Sequence, residues 1–73
     1  MTDWVTVDPE ICAGKPVISG TRIMVKNILG MVAGGYSISR IVKEYPELTL
    51  EMVENALQYA AQVIDEEQVF AHA

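Results

Sequence analysis

Ser37-Ile38-Ser39-Arg40-Ile41-Val42-Lys43-Glu44-Tyr45-Pro46-Glu47-Leu48-Thr49 decides the fold. Ile38, Ile41, Val42 and Tyr45 repeat at the spacing of one helical face, and Ser37 stands where a helix N-cap belongs. Pro46 bars the helix from continuing, because the residue before a proline is pushed out of the helical region. Three positions later Thr49 caps a new helix. Two helices joined by the tight Tyr45-Pro46-Glu47-Leu48 turn form a helix-turn-helix pattern.

On the N-terminal side, Val25, Ile28, Leu29 and Val32 predict another helix, stopped by Gly34-Gly35. On the C-terminal side, the helix opened by Thr49 is the longest. Its polar residues Glu51, Glu54, Asn55, Gln58, Gln62 and Asp65 trace one stripe. Glu51 suits the positive end of the helix dipole. The other residues from Leu50 to Ile64 are apolar, an arc wider than one helix pair needs. Met52, Ala56, Tyr59 and Val63 are left to bury against the N-terminal β element or another chain.

The first third reads differently. Trp4-Val5-Thr6-Val7 is β-branched and aromatic and ends at Asp8-Pro9, so it predicts a strand. Ala13-Gly14-Lys15-Pro16-Val17-Ile18-Ser19-Gly20-Thr21-Arg22-Ile23 predicts turn, short strand, turn, strand. The fold expected is therefore mainly α: a three-helix helix-turn-helix bundle with a short N-terminal β arm or hairpin. The chain is one domain, residues 1–73, with the arm over 1–24, the bundle over 25–68 and a tail over 69–73.

Seventy-three residues bury only about 60% of their unfolded surface, yet 51% of the residues are hydrophobic. Some apolar surface is thus expected to meet a second chain, and a homodimer is one form of that. No apolar run approaches the ~18 residues that span a membrane. Met1-Thr2-Asp3-Trp4 lacks the features of a signal peptide, so a cytoplasmic location is expected.

The net charge is −5, unevenly spread. Lys15, Arg22, Lys26, Arg40 and Lys43 all precede residue 47 and face Asp3, Asp8, Glu10 and Glu44, a balance of +1. Residues 47–73 hold six acids and no base, a balance of −6. Such a split points to two faces or two partners. An acidic segment repels nucleic acid and attracts a basic protein.

Catalysis finds no support. Cys12 is the lone cysteine and reads as a small half-buried side chain. His72, the lone histidine, has no constellation around it. Gly14-Lys15-Pro16 is no phosphate loop: the earlier glycine is missing and Pro16 replaces the Ser or Thr. No catalytic residues, metal, cofactor or small-molecule substrate are expected. Arg22, Lys26, Arg40 and Lys43 are candidate phosphate contacts, with an ordinary solvated face as the bland alternative. Asn55, Gln58 and Gln62 are the base-edge candidates, because amides read adenine edges. Three or so phosphate contacts per chain give weak, salt-sensitive binding, which a dimer would double.

The run Asp8-Pro9-Glu10-Ile11-Cys12-Ala13-Gly14-Lys15-Pro16-Val17-Ile18-Ser19-Gly20-Thr21-Arg22-Ile23-Met24-Val25 resembles the signature of domain-of-unknown-function family 433. Gly34-Gly35-Tyr36-Ser37, Ile41, Glu44-Tyr45-Pro46, Leu48-Thr49 and Ala56-Leu57-Gln58-Tyr59-Ala60 are similar to it as well, so the likeness runs over about residues 5–64. The resemblance implies a homeodomain-like helix-turn-helix fold with a β arm. It also implies an antitoxin of a toxin–antitoxin pair whose partner is a nuclease-like toxin of PIN-type fold. It supplies no catalytic residues. Ser19 stands where the family often has arginine, which weakens a phosphate-binding role for the arm, and Met24 stands where it often has proline. The acid-rich tail is short for wrapping a toxin.

Together these readings give a DNA-binding antitoxin that neutralises a basic nuclease-like protein. Met52, Tyr59, Val63, Asp65, Glu66, Glu67 and Phe70 are the expected partner interface. The alternative is a protein-interaction module or homo-oligomeric structural domain that binds no nucleic acid.

Overall fold

The computed structural model describes residues 4–71, with side chains described as far as Asp65. Two short strands come first, β1 (Val5–Thr6) and β2 (Val17–Ile18). Three helices follow: α1 (Val25–Ala33), α2 (Ile38–Glu44) and α3 (Leu50–Ala71). The strands pair antiparallel, Val5 opposite Ile18 and Thr6 opposite Val17. Between them the chain makes a turn at Cys12–Gly14.

Local chemistry explains each helix boundary. The α1 helix closes in a Schellman motif: Gly35 N–H donates to Val32 O at 3.0 Å and Tyr36 N–H to Met31 O at 2.9 Å. That geometry requires the left-handed backbone of Gly35, whose φ is +96°. The α2 helix begins where Arg40 N–H donates to Ser37 Oγ at 3.1 Å. It ends at Tyr45, before Pro46. At the start of α3, Met52 N–H donates to Thr49 Oγ1 at 3.1 Å. Thr49 N–H donates in return to Met52 Sδ at 3.4 Å, a sulfur version of the capping box.

The hairpin is part of the core. Ile18 is 0% exposed and clusters with Val5, Val25, Ile28, Ile41, Leu48, Val53, Ala56 and Ala60. The arm thus braces the helices, burying its apolar face against α1, α2 and α3 at once. In a chain this small, the hairpin supplies part of the apolar area that three short helices lack.

Two local expectations are corrected. Arg22-Ile23 forms no strand. A tight turn at Gly20 (φ +83°) folds the chain back, and Thr21 is held inside it: its hydroxyl donates to Ile18 O at 2.8 Å and accepts from Ile23 N–H at 3.0 Å. Only an isolated bridge, Val17 to Met24, extends the sheet. Second, Val32 is 41% exposed. It sits in the last turn of α1, past the edge of the core, and half-buried Met31 packs there instead.

Candidate functional site

The four candidate phosphate contacts are all exposed. Arg40 and Lys43 are three residues apart on α2 and so share a face. The Arg40 guanidinium lies 4.2 Å from the centre of the Tyr36 ring. Stacking there helps hold the planar fork in place. Lys26 stands at the rim of a groove between α1 and α3. Arg22 lies elsewhere, on the loop after β2. The bases therefore occupy three surroundings, with Arg40 and Lys43 the one pair that a single element brings together.

The base-edge candidates do come together. Asn55, Gln58 and Gln62 line, with Tyr59, a polar concavity of about 190 Å³ on the outer face of α3. Spacings of three and four stack them along one side of the helix. Asn55 is half-buried and its Nδ2 donates to Glu51 O at 2.8 Å. Upstream, Glu51 and Glu54 are exposed on the first turns of α3, and Glu47 is exposed in the preceding turn. The end of α3 that a helix-turn-helix presents to bases is thus carboxylate-rich, and the amides begin one turn in.

The expected partner interface divides. Met52 is half-buried, packs on the core and takes part in the α3 cap, so it offers little outer surface. Tyr59 and Val63 line an apolar groove of about 180 Å³ together with Pro16, Val25, Leu29, Ala60 and Ile64. Asp65 is exposed beyond its end. The side chains of Glu66, Glu67 and Phe70, and the end of the expected tail, lie outside the described residues. Sequence reasoning missed Ile64 and Pro16 as lining residues. Ile64 is 48% exposed, a large apolar side chain next to Asp65 on a helix that runs on past the core. The width of the apolar arc of α3 was the signal for it. Pro16 had none, because only the hairpin brings it to α3.

A third concavity went unforeseen. Thr6, Ile11, Val17, Gly20, Thr21, Arg22 and Glu47 surround about 510 Å³ between the hairpin and the α2–α3 turn. Two bonds shape its upper wall. Cys12 Sγ donates to the Arg22 carbonyl oxygen at 3.6 Å, and Thr6 Oγ1 and Ser19 Oγ are 2.7 Å apart. Cys12 and Ala13 both take positive φ, 50° and 57°, an uncommon backbone for residues with a Cβ. Among the described residues, no three His, Cys, Asp or Glu side chains gather as a metal site would need. None of the described helices is long and apolar enough to cross a membrane.

The profile of a protein family of unknown function, DUF433, matches residues 5–60. The chain belongs to DUF433. It is similar to an uncharacterized protein, y4eO, of Sinorhizobium fredii: 39% identical over 56 residues, covering 77% of this chain and 25% of that protein. The chain therefore spans about a quarter of the length of that curated relative. Its fold is similar to the crystal structure of a DUF433 member protein from Anabaena variabilis, with a TM-score of 0.79 and 27% identity over 96% of this chain and 67% of the other. The DUF433 resemblance read from Gly14-Lys15-Pro16 and Gly20-Thr21-Arg22 holds, as does the three-helix bundle with a β hairpin.

Proposed function

We propose that this DUF433 domain acts by binding and not by catalysis, as a helix-turn-helix DNA-binding protein of the antitoxin type. One observation carries the reading. Asn55, Gln58 and Gln62 gather in one outward concavity on the helix that follows the tight Tyr45–Thr49 turn. Amides so placed can pair with base edges. Lys26, Arg40 and Lys43 would hold phosphates, and a homodimer would double their number. Arg22 is a poorer phosphate contact, because Glu47 shares its concavity. The groove along Tyr59, Val63 and Ile64, with Asp65 beyond it, would receive a basic nuclease-like partner in the cytoplasm.

A second reading is a protein-interaction module without nucleic acid, and Glu47, Glu51 and Glu54 at the leading end of α3 favour it. The two are separated by a mobility-shift titration on the DNA upstream of the protein's own coding sequence, with and without the product of the neighbouring gene. The DNA-binding reading expects a shift that Asn55→Ala, Gln58→Ala and Gln62→Ala together abolish. A partner complex with no shift on any DNA would leave the interaction module.

A further inference from the structure

The concavity between the hairpin and the α2–α3 turn plays no part in the function proposed above, yet its lining defines a ligand. Its volume of about 510 Å³ lies within the ~300–1,000 Å³ usual for binding pockets. Most of its polar groups are already committed to the fold. The Thr6 hydroxyl is paired with that of Ser19, and the Thr21 hydroxyl bonds Ile18 O and Ile23 N–H. That leaves two charged side chains on the wall, Arg22 and Glu47, with half-buried Ile11 as the apolar side chain a ligand can reach, since Val17 is only 1% exposed. Both charges are exposed. They come from different parts of the fold, Arg22 from the loop after β2 and Glu47 from the α2–α3 turn.

We propose that this concavity binds a peptide segment carrying one acidic and one basic side chain. The guanidinium of Arg22 takes the ligand carboxylate by its two-pronged fork. The Glu47 carboxylate takes the ligand cation. The apolar body of the segment covers Ile11. The opposite signs exclude simpler ligands. A phosphate that satisfied Arg22 would meet the Glu47 carboxylate, and a bare cation would meet Arg22. The concavity is open to solvent, so a chain segment can lie across it with both its ends free. The Cys12 Sγ bond to the Arg22 carbonyl fixes the loop that carries the guanidinium. A bound segment would tie the hairpin to the helix-turn-helix turn.

The test is a titration of isotope-labelled protein, followed by amide chemical shifts, with a blocked tripeptide holding a glutamate and a lysine around an alanine. Three further ligands are compared: the same peptide with glutamine for glutamate, the same with glutamine for lysine, and free leucine. Millimolar binding is expected for the charged peptide. Shifts should concentrate at Thr6, Val17, Thr21, Arg22 and Glu47. Arg22→Gln should weaken binding about tenfold and erase the preference for glutamate over glutamine, and Glu47→Gln should do the same for the lysine. Both positions are exposed, so the variants keep the fold, which the remaining spectrum verifies. The proposal is overturned if no ligand shifts these amides, if the uncharged peptides bind equally well, if free leucine alone binds, or if the preferences survive both substitutions.

Discussion

Replacing Ile18 with alanine tests whether the hairpin belongs to the core. Ile18 is 0% exposed and touches a cluster drawn from β1 and all three helices. The substitution removes three buried carbons, which at about 0.8 kcal/mol each amounts to about 2.4 kcal/mol. The rigid surroundings close only partly over the gap, raising the cost to about 3–4 kcal/mol. A domain of this length has a total stability of roughly 4–11 kcal/mol, so the variant sits near the edge of folding. Urea denaturation followed by far-ultraviolet circular dichroism gives the number, with an unchanged slope on denaturant showing that one cooperative unit unfolds. Ile41→Ala in α2, also 0% exposed, should cost a similar amount. Val7→Ala, at a position 59% exposed, should cost less than about 0.5 kcal/mol. If Ile18→Ala costs under about 1 kcal/mol while Ile41→Ala costs several, the hairpin is a free arm and the reasoning fails.

Further outcomes follow from the boundaries and the basic face. Gly35→Ala forces a Cβ into left-handed backbone and should cost about 1–2 kcal/mol, read as a lower melting temperature. Ser37→Ala removes the α2 cap and should cost about 1 kcal/mol in the same assay. Arg40→Gln should leave the melting temperature nearly unchanged but lower the salt dependence of DNA binding by about one phosphate contact; an unchanged slope would mean that Arg40 is an ordinary surface residue.

Much of the fold was legible because its signals are local. The apolar spacing in Val25–Val32, the Gly34-Gly35 stop, the Ser37 and Thr49 caps and Pro46 each act within one helical turn. What sequence did not reveal is the path of the chain through its turns and the contacts between distant elements. Arg22-Ile23 has strand-like chemistry, but the bonds of Thr21 to Ile18 and Ile23 close a turn before a strand can form. Val32 keeps the helical spacing yet lies beyond the end of the core. At the candidate site, Asn55, Gln58 and Gln62 were readable as neighbours because they share one helix. The presence of Arg22 and Glu47 on one concavity was not, since it depends on the hairpin docking beside the α2–α3 turn. The left-handed backbone at Cys12 and Ala13 likewise has no signature in those residue types.

The most direct test of DNA binding is the equilibrium constant for the protein on its own upstream DNA, measured by fluorescence anisotropy at several salt concentrations. Three phosphate contacts per chain give a slope of log K against log salt of about −2.7 for a monomer and about −5 for a dimer. A slope in that range, reduced by about one per chain in Lys26→Gln or Lys43→Gln, is the expected result. No measurable binding at low salt, or a slope indifferent to both substitutions, would contradict the account and leave α3 as a surface for protein partners alone.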